Sequence, residues 1–191
     1  MSGDKERARN HVSAEALVDR LGLEPHPEGG FFRETFRSAL TVAGDRGERT
    51  LSTAVLFLVT AGRPSRFHRL TAEELWLYQA GAPLELALLS DEEPEGRSVQ
   101  LGHPVDRAPA QRGRPVPGQA AVAVAEPVPH LLVPAGAWQA ARVHPSEGMQ
   151  DWTLVTCVVS PGFDFDDFEM GDRKELLAVY PKAEELIVRH T

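Results

Sequence analysis

Phe67-His68-Arg69-Leu70-Thr71-Ala72-Glu73-Glu74-Leu75-Trp76, running on to Gly81 and then Pro83-Leu84-Glu85, decides how the rest of the chain is understood. It places an imidazole, two adjacent carboxylates, a guanidinium and an indole close together, then turns at a glycine. Side chains alternate between the two faces of a strand. His68, Leu70, Glu74, Trp76 and Tyr78 are evenly spaced, so two strands continuous in phase turn all five one way. Charged groups are seldom buried without a partner or a task. The stretch therefore predicts the pocket-bearing hairpin of a small β-barrel. The plainer alternative is a buried His68–Glu74 hydrogen bond that only braces the barrel. Arg69 has the opposite parity and is expected to point outward.

Outward from this hairpin the chain continues in short strands separated by glycine and proline. Strands are predicted at 31–37, 50–60, 65–70, 73–80, 83–89, 98–101, 120–125, 128–133, 137–143 and 152–160. That spacing points to an all-β sandwich or barrel. In Phe31–Arg37, Phe32, Glu34 and Phe36 share one expected face and Arg33 shares the other. Residues 25–30, 43–48 and 144–150 are predicted to be turns or loops, and 103–118, rich in proline and arginine, a surface loop within one domain. Residues 1–12 are polar and expected to be disordered, leaving a single domain over 13–191. Ser13 has the chemistry of a helix cap, and Ala14–Leu21 is predicted helical with Gly22 as its stop. Asp172 is expected to cap a closing helix over Arg173–Arg189, kinked or split at Pro181. Its apolar stripe is Leu176, Leu177, Tyr180, Ala183, Leu186 and Ile187.

Composition narrows the function classes. Hydrophobic residues are 42% and charged ones 25%, ordinary for a globular domain, and the net charge of −8 argues against nucleic acid or an anionic membrane as partner. No apolar run reaches the roughly 20 residues of a membrane span, and the N-terminus lacks a signal-peptide core, so a cytoplasmic location is expected. Cys157, the sole cysteine, lies in an apolar strand and is expected to be a buried structural thiol.

A second stretch, Val133-Pro134-Ala135-Gly136-Ala137-Trp138-Gln139-Ala140-Ala141, makes a tight turn into a strand. Together the two resemble the paired motifs of the cupin superfamily. Gly62 has five residues between it and His68, three separate Leu70 from Glu74, and six separate Glu74 from Gly81. Pro134, Gly136 and Gln139 match the second motif. In detail the chain resembles the cupin-5 group, DUF985, through Pro27–Thr35, Ser65–Leu70, Glu73–Trp76, Gly81–Leu86, Val133–Ala141 and Val159–Phe168. The resemblance implies a double-stranded β-helix, the cupin jelly-roll barrel, with a short N-terminal and a C-terminal helix. It also implies a homodimer whose N-terminal strands pack against the partner's barrel.

The departures from the motifs matter for chemistry. Leu70 and Gln139 stand where metal-binding cupins have histidines, and Leu77 replaces a histidine common in the group. His130 stands where the group usually has glutamine and is a further nitrogen to consider, although a strand-end histidine is the simpler reading. His68, Glu74 and Gln139 form an incomplete ligand set for a divalent metal, which leaves the cofactor unknown. The expectation is a pocket for a small polar or sugar-like molecule. His68 and Glu74 would be an acid–base pair for a metal-independent isomerase, epimerase or lyase. Phe57, Trp76, Tyr78, Trp138, Gln139 and Arg33 are the expected substrate contacts. The alternatives are a ligand-binding protein without turnover and a metal-dependent cupin enzyme with a reduced ligand set.

Overall fold

The computed structural model describes residues 12–44, 47–103, 127–143 and 150–191. The expected disorder of the N-terminal residues and the predicted strand at 120–125 lie outside these, as does nearly all of the 103–118 and 144–150 loops.

The strands are β1 (Glu24–Pro25), β2 (Phe31–Arg37), β3 (Thr41–Gly44), β4 (Gly47–Thr50), β5 (Thr53–Thr60), β6 (Ser65–Leu70) and β7 (Glu73–Gly81). They continue as β8 (Leu84–Leu89), β9 (Arg97–Leu101), β10 (His130–Val133), β11 (Trp138–Val143), β12 (Trp152–Ser160) and β13 (Phe168–Met170). Two antiparallel sheets face each other, in the orders β1-β2-β5-β12-β7-β10 and β13-β6-β11-β8-β9, with a separate β3–β4 hairpin. This is the jelly-roll arrangement that the cupin resemblance implies, and it agrees with the all-β sandwich or barrel expected from the strand spacing.

Period-two alternation explains how the layers fill. Phe57, Trp76, Leu84, Leu86, Leu88, Val143, Val155 and Cys157 are buried in the core between the sheets. A fully buried leucine contributes about 1.5–3 kcal/mol. Their neighbours Phe67, Ala87, Leu89, Trp138 and Ala140 form a separate cluster with the C-terminal helices, which cover the outside of the five-stranded sheet. Leu58 and Trp152 pack with the N-terminal helix α1 (Ala14–Leu21) on the outside of the other sheet. Ser13 caps α1 by accepting from the Ala16 amide, and Gly22 ends it in the left-handed conformation.

The closing segment is split at the expected proline. Helix α2 (Arg173–Val179), capped by Asp172, gives way to a turn of 3-10 helix at Pro181–Ala183 and then to α3 (Glu184–His190). Pro181 cannot donate to the preceding turn, so the helix restarts instead of running through.

Three expectations need correction. The predicted loop at 43–48 is largely strand: β3 and β4 pair from Thr41↔Thr50 to Gly44↔Gly47. Its alternation is too short to announce a hairpin in a sequence. The strand predicted from Thr50 begins at Thr53, because Leu51 and Ser52 bond back to Leu40 and Ser38 as the hairpin joins the sheet. Phe36 does not stay with Phe32 and Glu34. The β2–β5 register shifts between Glu34 and Phe36, and Phe36 is half exposed. An extra residue in one strand reverses the parity of those that follow.

Candidate functional site

A cavity of about 270 Å³ lies within the barrel, lined from β2, β5, β6, β7 and β12 and from the arm at 163–168. Its wall is mostly apolar and rich in aromatic rings. Its polar floor is assembled from two directions.

The first is the turn between β1 and β2. Gly29 and Gly30 have φ of +126° and +58°. A Cβ on Gly29 would stand 1.9 Å from the Pro64 carbonyl oxygen, and one on Gly30 would meet the Leu58 carbonyl oxygen at 2.8 Å. Only glycine allows the turn to press so closely on the neighbouring strands. The Arg66 amide donates to the Glu28 carbonyl at 3.0 Å, and the Arg66 side chain donates to the carbonyls of Glu28 and Pro27. Pinned this way, the turn delivers the Glu28 carboxylate into the barrel. Ser65 Oγ donates to Glu28 Oε1 at 2.7 Å, while Oε2 lies 3.3 Å from His68 Nε2 and 3.2 Å from His26 Nδ1.

The second contribution comes from β6, β7 and β11. His68 Nδ1 lies 2.8 Å from the Arg66 carbonyl. A carbonyl only accepts, so this nitrogen carries a proton and both ring nitrogens of His68 are engaged. Gln139, opposite His68 in the β6–β11 register, donates from Nε2 to Glu74 Oε2 at 2.5 Å. It accepts at Oε1 from Trp76 Nε1 at 2.9 Å. Glu74 is also hydrogen-bonded by the Cys157 thiol.

The two buried carboxyls are driven apart. Burial pushes Glu28 upward, but the charge of His68 and the hydrogen bonds from His26 and Ser65 outweigh it, holding the group below its ordinary value. Burial also raises Glu74 and the neighbouring Glu28 charge adds to it; His68, Gln139 and Cys157 oppose without prevailing, and Glu74 stays above its ordinary value. Burial, with Glu74 and Glu28 beside it, raises the Cys157 thiol well above its usual range, so it is not a thiolate nucleophile at neutral pH.

Of the residues singled out in the sequence, His68, Glu74, Phe57 and Trp76 come together on the cavity wall. Gln139 is buried behind it, bracing Glu74 and Trp76. Trp138 faces the C-terminal helices, with the outward-pointing Arg69 guanidinium 4.6 Å from its ring centroid. Tyr78 keeps the phase of Trp76 up to the β7–β12 register shift that follows it, but it does not line the cavity, and its hydroxyl donates to the Gly81 carbonyl. Arg33 is replaced at the cavity by Arg37, which the irregularity in β2 brings to the side of Glu34. Arg37 donates to both Glu34 oxygens and to the Phe163 carbonyl. His130 pairs with Leu77 across β10 and β7, and neither lines the cavity. His26, Glu28 and the aromatic arm of Phe163, Phe165 and Phe168 were not anticipated as a site. The only signal for Glu28 and the arm was membership in the matched segments Pro27–Thr35 and Val159–Phe168; His26 lies just outside them and carried no spacing signal.

His68, Glu74 and Gln139 do not fit a divalent metal. The Gln139 amide oxygen is committed to an indole N–H, and among the described residues no group of three or more His, Cys, Asp or Glu side chains is arranged to hold one. No helix among the described residues is long and apolar enough to cross a membrane.

Two antiparallel sheets closed face to face in this strand order define a cupin jelly roll. The chain belongs to the cupin superfamily family DUF985, whose model matches residues 15–171. A hypothetical protein from Leishmania major is 34% identical with a TM-score of 0.77, the match covering 94% of this chain and 99% of that one. A protein from Shewanella oneidensis is also 34% identical, with a TM-score of 0.73 over 94% of this chain and 98% of that one. An uncharacterized protein of Saccharomyces cerevisiae is 27% identical over 167 residues, 81% of this chain and 73% of its own length.

Proposed function

We propose that the barrel cavity binds a small polar molecule with a flat apolar face and carries out metal-independent acid–base chemistry on it, as an isomerase, epimerase or lyase. The observation that carries this reading is the opposite displacement of two carboxyls in one cavity, Glu28 below its ordinary value and Glu74 above. Groups whose environments separate them in this way are poised as base side and acid side of one reaction. Glu74 is the proton donor, and the imidazole–carboxylate cluster at Glu28 is the accepting side. His68, with both nitrogens engaged, holds Glu28 instead of meeting the ligand. Phe32, Phe57, Trp76 and Phe168 supply the apolar walls on which a ring stacks.

The test is a thermal-shift screen of sugars, nucleotide-sugars and small carbonyl or carboxylic compounds, followed by NMR of the hits for conversion. Turnover abolished by Glu28→Gln and by Glu74→Gln, with the melting transition retained, supports the reading. Turnover unchanged in both sinks it. The full engagement of His68 favours a second reading, a binding protein without turnover, which predicts that every hit is recovered chemically unchanged. Exposed Phe36, Leu40 and Leu51 on and beside β2 support a homodimer through this side; light scattering at one-chain mass would rule that out.

A further inference from the structure

Three imidazole and carboxylate side chains meet at one oxygen. Glu28 Oε2 lies between His26 Nδ1 at 3.2 Å and His68 Nε2 at 3.3 Å. The two histidines are not equivalent. His68 spends its other nitrogen on the Arg66 carbonyl. His26 Nε2 has no hydrogen-bond partner among the described residues, and His26 lines the cavity.

His26 is also held in orientation. Phe32 meets its ring edge-on with centroids 4.7 Å apart, and Phe168 does so at 5.6 Å. Phe165 lies nearly parallel to it at 6.1 Å. The backbone fixes the base of the side chain, since the His26 amide donates to Gly30 and the His26 carbonyl accepts from Gly29. The Glu28 amide stands 3.4 Å from His26 Nδ1, a longer contact than that nitrogen's 3.2 Å approach to the carboxylate. The carboxylate is the nearer and the charged partner, so a proton on Nδ1 would point at Glu28 and leave Nε2 as the open nitrogen, whereas an Nδ1 that accepts the Glu28 amide would place the proton on Nε2.

We infer that His26 is the catalytic base of the cavity, with Glu28 as the carboxylate that orients it and His68 as a brace behind that carboxylate. The inference rests on the acid–base reading above and names the group in it that meets the ligand. An imidazole held at one nitrogen by a buried carboxylate presents the other to the substrate in a fixed tautomer. In the step this permits, the His26 Nε2 lone pair takes a proton from a substrate C–H or O–H. The Glu74 carboxyl gives its proton to a substrate oxygen. The imidazolium so formed keeps its Nδ1–H on Glu28. The imidazolium then gives its proton to the neighbouring substrate carbon and the substrate hydroxyl on that carbon returns one to Glu74, which completes an isomerisation with no external oxidant or reductant. The substrate class is a small carbonyl or hydroxycarbonyl compound with an acidic C–H.

The deciding experiment is long-range proton–nitrogen NMR on the full chain labelled in its histidines, with no ligand, at a pH where the His26 ring is neutral. The expected spectrum shows His26 with its proton on Nδ1 and a bare Nε2, and Glu28→Gln perturbs that pattern. A His26 protonated on Nε2 with a bare Nδ1 overturns the assignment, because Nδ1 would then be accepting the Glu28 amide. For any compound the screen finds to be converted, His26→Asn is expected to lower kcat by roughly 10²–10⁴-fold with KM changed only a few-fold. Unchanged kcat in His26→Asn, with Glu74→Gln inactive, rejects His26 and keeps the acid–base cavity. The expected spectrum with no compound converted rejects the cavity's chemistry and keeps the orientation of His26.

Discussion

Glu28 and Glu85 are both nine-tenths or more buried, yet the barrel uses them in opposite ways. Glu28 is surrounded by two imidazoles, which can gain or lose a proton, and by a neutral hydroxyl donor, and it opens on a cavity. Glu85 lies under the C-terminal helix α3. Permanent cations flank it, Arg189 at 3.4 Å and Arg142 at 3.8 Å, and His190 stands 4.0 Å away. Arginine stays protonated throughout the working range, so the two guanidinium groups at Glu85 fasten a helix and exchange nothing, and the His190 imidazole beside them is buried and does not line the cavity. What distinguishes a site from a clasp is the titratability of the partners and the space beside them, more than the burial of the acid.

Four changes sharpen or break this contrast. The largest effect is expected from Glu28→Gln, which keeps the shape of the side chain but removes the charge that orients the imidazoles. Turnover of a screened substrate should fall by about 10²–10⁴-fold, while Glu85→Gln leaves it within a few-fold; equal losses in steady-state assays would erase the distinction. Next is Gly29→Ala, where the new Cβ meets the Pro64 carbonyl at a backbone angle that L residues avoid. A loss of about 3 kcal/mol is expected in denaturant titrations, and an unchanged midpoint would mean the turn does not hold Glu28 as described. Glu85→Gln should cost about 1–2 kcal/mol by the same measurement, since both arginines are about a third exposed and each contact is weakened by solvent.

The smallest effect is in pH. Glu28, held below its ordinary value, stabilises the fold above the unfolded carboxylate value, and that stabilisation is lost as the pH falls through its lower folded value. Glu74, held above, favours the fold below the unfolded value, and that contribution is lost as the pH rises through its higher folded value. Melting temperatures followed across the acidic range should show both arms. Glu74→Gln should flatten only the upper one, and an unchanged upper arm would show that Glu74 is ionised in the folded chain.

Much of the barrel was legible because alternation and turn residues repeat locally. The even spacing of His68, Glu74 and Trp76 was enough to put all three on one wall. Trp138 and Gln139 are adjacent in a strand, so they could not both have faced the cavity; simple parity already excluded one of them. Arg37 was harder, because only the register shift in β2 carries it to the Glu34 side in place of Arg33. Glu28 was invisible as a partner of His68. It sits in a turn without periodicity, far back along the chain, and only the close approach of Gly29 to Pro64 brings the two together.

The place of β12 has a consequence for how the protein is made. It is the last strand of its sheet to leave the ribosome, yet it lies between β5 and β7 and pairs along its length with both. Until Trp152–Ser160 emerges, two apolar strand edges wait without a neighbour, and the sheet cannot close by adding strands in order. The nascent chain must therefore hold its two halves apart and join them late, through contacts distant in sequence that form slowly. A chain released before this strand is finished lacks the seam of the barrel and offers open edges to other chains, the state in which it most needs a chaperone.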